Sequence, residues 1–363
     1  MTQLLLTRRA AFPSLTIYHD FYQAASIWRT LERSAPGYIF QTYDWLLAWH
    51  QTIGTAVAVE PFIAVATDGQ DQVGALFPLG IRRRIGCRIL EFLGAVATDY
   101  NAPLLEPRLL GSSPAIKDVW DRIVTLARPD VVRLRQMPEH LPANLPNPMA
   151  TVGQTRHMTN AHYTTLPATF GAFTLGRKTK YFHETRRKRR QLGDLGEVHF
   201  MVLDEPDNIV RTLGLLLAQR SRKYGPCYVD PAIMPALEEF YRKVALTPSC
   251  SGRPVVGSLC VDDIAVATGF GMLREGRFYG LMLGHEAGKW ANLSPGRSFL
   301  WELVRWCIDE GVQILDLTIG DEDYKHYWCD RQMKMFESQY PLTARGAAFL
   351  AAQQLNDWRR RSR

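Results

Sequence analysis

The 363-residue sequence lacks the patterns that mark metal-bound, disulfide-bonded and membrane-spanning proteins. Its six cysteines include no CxxC pair and its nine histidines are not clustered, which argues against a zinc site and a disulfide scaffold. No apolar run approaches the roughly 20 residues that cross a bilayer. The opening segment has only a short apolar stretch, with its charges behind it, unlike a secretory signal. We therefore expect reduced thiols, no bound metal, no membrane span and a cytoplasmic location.

The sequence does contain enough apolar material for sizeable cores. Hydrophobic residues make up 46% of the chain and charged residues 22%, a balance that excludes disordered, collagen-like and coiled-coil proteins. The length exceeds one ordinary compact core, so we predict two domains. Four prolines between Pro138 and Pro148 resist regular structure and indicate a crossing between them. The predicted boundaries are an amino-terminal domain over 1–150, a linker over 151–165, a carboxy-terminal domain over 166–345 and a basic tail over 346–363.

Positive charge is concentrated in one segment. The net charge is +7, and residues 177–190 alone carry eight basic residues and one acidic residue. This local surplus indicates an anionic ligand such as a phosphate, a nucleotide or an RNA backbone, and a merely solvated surface is the alternative. Good helix formers dominate residues 177–192 and predict a helix that docks one face. That face carries Tyr181, Phe182, Thr185 and Leu192, and the candidate anion-binding residues of the helix are Arg186, Arg187 and Arg190.

Short β-branched and aromatic runs predict strands in both halves. The first half alternates predicted helices at 17–35 and 42–53 with strands at 62–66, 73–79 and 88–93. In the second half, helices at 177–192, 207–224 and 231–246 precede strands at 255–261, 264–273 and 277–283. Two-residue connections, Asp262-Asp263 and Glu275-Gly276, require these three strands to be antiparallel neighbours. A helix from Gly296 and a strand at 313–319 follow, so we predict a mixed α/β (α+β) fold with largely antiparallel sheets flanked by helices.

The loop at residues 293–299 is the sharpest local feature, because it follows a predicted strand and opens a helix. Helix N-termini supply unpaired N–H donors and a partial positive charge. A pyrophosphate could therefore lie against Gly296, Arg297 and Ser298, with Ser294 in the same loop. The alternative is that this loop only begins a helix.

Four residues are candidates for acid–base chemistry: two acids and two tyrosines. Asp316 interrupts an apolar strand and could act as a general base if water has little access, or could be an acid satisfied by hydrogen bonds. Glu286 ends the meander and could accept an amine proton, with surface solvation as the alternative. Tyr324 or Tyr327 could protonate a leaving thiolate, because a phenol has a pKa of about 10 and a thiol about 8.5. An aromatic turn that seals the sheet edge is the alternative there, and Lys325 beside them is a further candidate anion ligand.

Short segments in both halves match a known family when they are taken together. They are residues 166–170, 175–180, 293–296, 320–325 and Trp328 in the second half, and 40–49, 77–79, 82–84, 92–94 and 98–101 in the first. The set resembles the CelD-like acetyltransferases, a bacterial family associated by name with cellulose biosynthesis. This family belongs to the GNAT superfamily and is similar in plan to the Fem-type aminoacyltransferases. The resemblance covers about residues 17–330 and implies tandem GNAT-like domains.

The resemblance implies an N-acyltransferase with no metal. Its donor would be acetyl-CoA or another acyl-CoA, held at the loop before the helix, and its acceptor would be an amine on a small molecule or on a sugar or cell-envelope precursor. The family supplies no shared catalytic residue, so Glu286, Asp316 and Tyr324 rest on their chemistry alone. Two alternatives stay open: a tRNA-binding Fem-type aminoacyltransferase or plain RNA-binding protein, because of the basic helix, and a non-catalytic GNAT scaffold in polysaccharide synthesis, because Leu293 and Ser298 depart from the superfamily's loop pattern.

Overall fold

The computed structural model describes residues 12–107, 113–177, 180–225 and 230–361. The chain divides into two compact units: unit 1 comprises Met1–Met158 and Lys334–Arg363, and unit 2 comprises Thr159–Met333. Within the described ranges, no helix has both the length and the apolar character needed to cross a bilayer. Lys178 of the basic segment, Cys227 and Arg363 of the tail lie outside the described residues.

The elements follow one another along the chain with short connections. The strands are β1 (Ser14–Tyr18), β2 (Val59–Thr67), β3 (Val73–Arg84), β4 (Cys87–Phe92), β5 (Leu104–Leu105), β6 (Val131–Pro138), β7 (His140–Leu141), β8 (Leu145–Pro146), β9 (Thr155–Thr165), β10 (Val198–Leu203), β11 (Arg253–Val261), β12 (Ile264–Arg274), β13 (Arg277–His285), β14 (Ile314–Ile319) and β15 (Arg331–Pro341). The helices are α1 (Phe21–Leu31), α2 (Tyr43–Trp49), α3 (Ser113–Ala127), α4 (Phe170–Leu175), α5 (Lys180–Gly193), α6 (Pro206–Tyr224), α7 (Met234–Leu246), α8 (Pro295–Asp309), α9 (Lys325–Trp328) and α10 (Ala344–Arg361).

Unit 1 is built on a sheet with the strand order β1-β2-β3-β4-β6-β15. All neighbours are antiparallel except β4 and β6, which are parallel and therefore need the crossover that α3 provides. The buried residues of α3 recur at helical spacing and pack into the unit's core: Ile116, Val119, Trp120, Ile123 and Ala127.

Unit 2 repeats this plan, with the strand order β9-β14-β13-β12-β11-β10 and a single parallel pair, β13 and β14, joined by α8. Helices cover both faces of the sheet. Gly269 of β12 receives the ring of Phe299 from α8, whereas its neighbour Phe270 contacts Tyr241 of α7 at 5.4 Å between ring centroids. Because successive strand residues point to opposite faces, α7 and α8 lie on opposite sides. The mixed α/β prediction with largely antiparallel, helix-flanked sheets is confirmed.

The three-stranded meander of unit 2 also follows its prediction. Asp262 and Glu275 both have positive φ angles, 49° and 48°, as the predicted two-residue connections require. β11, β12 and β13 pair antiparallel through these turns. The meander therefore delivers β13 into the loop before α8, where the candidate site lies.

The predicted domain boundaries differ from those of the structure. Residues 155–165 of the predicted linker form β9, because this Thr-, His- and Tyr-containing segment pairs with β14. The predicted tail forms α10, and residues 334–345, assigned to the second domain, belong to unit 1. The chain returns there because Thr343 Oγ1 donates to Asp130 Oδ1 at 2.6 Å and Leu342 N donates to Asp130 O at 2.8 Å. The predicted helix at 17–35 is likewise shorter, with β1 before it.

Candidate functional site

The parallel strands β13 and β14 separate after a short ladder. Residues 277–279 lie opposite residues 314–316, but β13 continues six residues further, to His285. On its other side β13 has a bulge, because Met282 pairs with Phe270 and Gly280 with Gly271, which leaves Leu281 without an opposite residue. The strands therefore open towards their carboxyl ends, and residues 280–285 of β13 have no strand partner on the β14 side within the described part of the chain.

The N-terminus of α8 lies at the end of this opened strand. The helix begins after Ser294, which adopts a left-handed conformation (φ 52°, ψ 55°) and whose carbonyl oxygen accepts from the N–H groups of Arg297 and Ser298, at 3.0 and 3.3 Å. Gly296 N–H makes no bond among the described residues, and the buried hydroxyl of Ser298 has no partner there either. A Cβ on Gly296 would lie 3.1 Å from His285 Cδ2. A larger residue at position 296 would therefore crowd the end of β13.

One of the hydrogen-bond donors predicted for the anion is already used within the helix. Ser298 was expected to offer its backbone N–H to an anion, but that N–H forms the first intrahelical bond. Gly296 N–H and the Ser298 hydroxyl are buried and have no partner among the described residues, whereas the Arg297 side chain is about a third exposed and can contact an anion. The side chain of Ser294 makes no capping bond. Its left-handed backbone forms the turn that precedes these groups.

The guanidinium of Arg297 is held in place by aromatic stacking. It lies 4.2 Å from the ring centroid of Tyr181 and 3.6 Å from a carboxylate oxygen of Glu184, both on α5. Tyr181 in turn stacks on Tyr327 at 4.0 Å with an angle of 5° between the planes, and its hydroxyl accepts from Trp328 Nε1 at 3.2 Å. About a third of the Arg297 side chain remains exposed, so it can also contact an anion at the helix start.

The basic helix α5 divides into a docked part and an exposed part. The predicted docking face is confirmed, because its four residues are all buried. Lys188 Nζ donates to Asn292 O in the loop before α8, and Arg189 pairs with Glu302 of α8. Burial lowers the pKa of Arg189 to about 10. The three candidate anion ligands, here called the exposed α5 arginines, are Arg186, Arg187 and Arg190.

Glu286 follows β13 and is bound to α6. Its Oε1 accepts from Gln219 Nε2 at 3.2 Å and from Arg222 Nη2 at 2.7 Å. Gln219 is fully buried and its own Oε1 accepts from the Thr268 hydroxyl at 2.7 Å, so it has little freedom to move. Both contacts to α6 use Oε1, which leaves Oε2 as the oxygen that could accept a proton.

Asp316, predicted either as a general base or as a hydrogen-bonded acid, has the surroundings of the second alternative. Its side chain is fully buried, Oδ2 is 3.3 Å from Arg277 Nη1, and Oδ1 accepts from Thr318 N at 2.9 Å. Thr318 has a φ of 56°, a conformation that this bond supports. Asp316 is therefore the hydrogen-bonded acid of the alternative prediction, and it stabilises the turn at the end of β14.

Tyr324 lies where β14 ends, close to the last turns of α6. Burial is the main cause that raises the pKa of Tyr324, the negative charge of Glu322 and the nearby Tyr224 add to it, and Arg220 opposes it. Arg220 Nη1 also donates to Leu283 O of β13 at 3.3 Å. A phenol in this environment stays protonated at neutral pH, which is the state a proton donor needs.

Lys325 does not face an anion site, contrary to its prediction. Only 3% of the residue is exposed, and its ammonium group donates to the carbonyl oxygens of Thr318 and Ile319. It also lies 3.0 Å from Glu322 Oε2. With these acceptors in contact, Lys325 closes the turn after β14 instead of binding a ligand.

A hydrogen-bonded latch that the sequence analysis missed holds the segment before Tyr324. Asp321 accepts from the Thr159 hydroxyl, from Asn160 N and Nδ2, and from His162 Nε2, at 3.0 to 3.3 Å. Burial alone would raise the pKa of Asp321, but the bonds from Asn160, His162 and Thr159 lower it to about 2. The latch fixes the end of β14 to β9, and only the acid-rich composition around Asp321 hinted at it.

Unit 1 has a similar opening, but a loop fills it. Residues 89–91 of β4 pair with 131–133 of β6, and β6 then continues to Pro138. Asn101 N donates to Gln136 O at 2.7 Å, and Asn101 Nδ2 donates to Arg135 O at 3.0 Å. The loop after β4 thereby fills the gap between β4 and β6, the counterparts of β13 and β14. Across the described part of the chain, no group of His, Cys, Asp and Glu side chains could hold a metal ion.

Comparison with known proteins agrees with this geometry. Residues 179–326 match the family model described as acetyltransferase (GNAT) domain. No curated protein sequence matches the chain. Among solved structures, FemX is similar with a TM-score of 0.60 and 8% identity over 89% of this chain and 96% of that one.

Two further structures are similar at low identity. One is a carboxy-terminal domain (DUF2156) described as part of a lysylphosphatidylglycerol synthetase from Agrobacterium fabrum, with a TM-score of 0.54 and 11% identity over 93% of this chain and 97% of that one. The other is L-PGS from Bacillus licheniformis, with a TM-score of 0.53 and 10% identity over 90% and 96%. These likenesses show the fold. The family match adds the class: residues 179–326 match an acetyltransferase (GNAT) domain, which supports an acyltransferase.

Proposed function

We propose that unit 2 transfers an acyl group from an acyl-CoA, with acetyl-CoA as the simplest donor, to an amine. The observation that carries this proposal is the early end of the ladder between β13 and β14, with the N-terminus of α8 at the end of β13. An acyl-CoA has an amide-containing arm that can pair with an unpaired strand edge as an added strand does. Its pyrophosphate suits a helix N-terminus.

The groups at the start of α8 fit a pyrophosphate. Gly296 N–H and the Ser298 hydroxyl are both without partners among the described residues, and any side chain at 296 would contact His285. Arg297 adds a positive charge that Tyr181 and Glu184 hold in position. A preorganised cation of this kind loses little freedom when an anion binds.

The chemistry then requires a neutral amine and a protonated leaving group. An alkylamine with a pKa near 10 is mostly charged at pH 7, and Glu286 Oε2 is the carboxylate oxygen proposed to take its proton. The amine nitrogen attacks the thioester carbon, the C–S bond breaks, and Tyr324 protonates the thiolate. The phenol is protonated at neutral pH, as a proton donor must be, although burial raises its pKa and so makes it a weaker acid.

For the acceptor, we propose an amine on a small molecule or on a sugar or cell-envelope precursor, as the likeness to the CelD-like family implies. An aminoacyl-tRNA as donor is the second candidate. The exposed α5 arginines support it, since α5 packs against the helix that begins at the pyrophosphate loop and could bind an RNA backbone.

Isothermal titration of the full chain with acetyl-CoA and with bulk tRNA tests the proposal. Arg297→Gln should weaken acetyl-CoA binding about ten- to a hundredfold, because charge-assisted hydrogen bonds contribute about 1.5–3 kcal/mol. Arg305→Gln is the matched control, since Arg305 lies eight residues further along α8 and pairs with Glu302. It should bind acetyl-CoA like the wild type.

Two results would contradict the acyl-CoA assignment. One is equal loss of affinity in both variants, which would indicate general electrostatics instead of a pyrophosphate site. The other is binding of tRNA but not of acetyl-CoA, which would favour the aminoacyl donor. Turnover of acetyl-CoA with a panel of aminosugars and small amines would then define the acceptor.

A further inference from the structure

Unit 1 displays an exposed isoleucine that its fold does not explain. Ile85 forms the tip of the β3–β4 hairpin, is 84% exposed and has a φ of 50°. β-branched residues rarely adopt this left-handed conformation, and two-residue hairpin turns favour Asn, Asp or Gly there. Ile85 therefore contributes neither buried area nor turn propensity to the folded state.

Arginines surround this apolar tip. Residues 82–88 contain four arginines and no acid. Arg83 pairs with Glu60 at 3.3 Å, whereas Arg84 is exposed and meets no acidic side chain in the described part of the chain. The hairpin thus presents one apolar side chain among positive charges.

Helix α10 presents a second feature of the same kind. Its inner face places Gly346, Phe349, Leu350 and Gln353 at helical spacing, and these residues are buried or half-buried. The opposite face exposes Leu355 by 58% and Trp358 by 66%, and residues 359–361 are all arginine. The outer face therefore exposes two large apolar side chains, and the exposed Arg359 follows them directly.

The two features are joined within unit 1. Arg345, in the first turn of α10, donates from Nη1 to Gly86 O of the hairpin at 3.3 Å. Trp358 follows 13 residues later, about 20 Å further along the helix axis at 1.5 Å per residue. An extended surface could engage both.

We propose that unit 1 docks on the surface of an anionic lipid bilayer through Ile85 and the outer face of α10. Tryptophan and aliphatic side chains insert at the level of the lipid headgroups, and arginines beside them bind anionic headgroups. Stable peripheral binding requires two membrane-anchoring elements, and the β3–β4 hairpin and α10 provide one each. RNA fits less well, because Trp358 is the one aromatic ring among the three exposed apolar residues that would dock, and Ile85 and Leu355 offer no ring for bases to stack on. A second copy of the chain would bring arginine runs of like sign together.

Co-sedimentation of the full chain with vesicles tests the proposal. The protein should bind vesicles of phosphatidylglycerol and phosphatidylcholine, and it should bind pure phosphatidylcholine vesicles at least about tenfold more weakly because the arginines have no anionic partner there. Raising the salt from 0.1 to 0.5 M should release it, since screening shortens the range of the charges.

Two apolar variants separate docking from folding. Ile85→Asn places a residue that favours the left-handed turn, so the melting temperature should stay equal or rise while vesicle affinity falls about tenfold. Trp358→Gln should lower vesicle affinity to a similar extent. Leu175→Gln is the control, because Leu175 is a leucine of unit 2 that is 62% exposed, and it should bind like the wild type.

Each contrary result overturns the proposal. Wild-type vesicle affinity in both Ile85→Asn and Trp358→Gln would show that these residues do not dock. Equal binding to neutral and anionic vesicles would remove the role of the arginines. Loss of tRNA binding or of dimer formation in the same variants, with vesicle binding unchanged, would identify RNA or a second copy as the true partner.

Discussion

Replacing Asp321 by asparagine should destabilise unit 2 in a pH-dependent way. The carboxylate accepts four hydrogen bonds from β9, which lower its pKa from 3.8 to about 2. A shift of nearly two units corresponds to about 2.5 kcal/mol. Because 45% of the side chain is exposed, solvent screening reduces this to about 1 kcal/mol.

The geometry adds a second contribution. Asp321 Oδ1 accepts from Asn160 Nδ2 and His162 Nε2, and an asparagine oxygen can keep both bonds. Oδ2 accepts from the Thr159 hydroxyl and from Asn160 N, and an asparagine NH₂ in its place would face a backbone donor. We therefore expect Asp321→Asn to lower the free energy of unfolding by about 1–2 kcal/mol at pH 7.

The sign of the pH dependence follows from the lowered pKa. A carboxyl with a depressed folded-state pKa stabilises the protein fully above its unfolded value of 3.8 and loses this effect as the pH falls towards 2. Urea unfolding at pH 7, 5 and 3 should show the difference between wild type and Asp321→Asn shrinking below pH 5. Asp323→Asn is the control, since Asp323 is exposed in the same loop. A penalty that persists unchanged at pH 3, or none at pH 7, would refute the reasoning.

Three further results are expected. Tyr324→Phe should lower kcat about ten- to a hundredfold with little change in donor affinity, and full turnover would end its role as proton donor. Replacing the exposed α5 arginines by glutamine should weaken the binding of the anionic donor and flatten its salt dependence, as titrations at 0.05 and 0.3 M salt would show. Gly346→Ala should lower the free energy of unfolding by about 1–3 kcal/mol in thermal melts, because a Cβ would overlap the carbonyl oxygen of Asp130; an unchanged melting temperature would argue against the docking of α10.

The parts of the fold that depend on local chemistry were predictable from the sequence. The connections at Asp262 and Glu275 predict the meander of β11, β12 and β13, because strands joined by a two-residue turn pair antiparallel. The start of α8 at Ser294 and Pro295 is equally local. The docking face of α5 follows from helical spacing alone.

Contacts between distant positions were not predictable in this way. Nothing near Asp316 in the sequence indicates that Arg277 neutralises it, and nothing near Glu286 points to Gln219 or Arg222. Lys325 looks like a surface cation because its neighbours are polar, yet the turn after β14 buries it. These pairings depend on which strands become neighbours, so they emerge only with the tertiary structure.

The loop that fills the opening of unit 1 has a consequence for the number of donor sites that the proposed function predicts in each chain. Asn101 bonds to β6 from within the chain, and the loop that carries it fills the gap between β4 and β6. Among the described residues, the corresponding gap beside β13 of unit 2 stays open. If unit 2 holds the donor as proposed above, each chain should saturate at one equivalent of acyl-CoA in a titration.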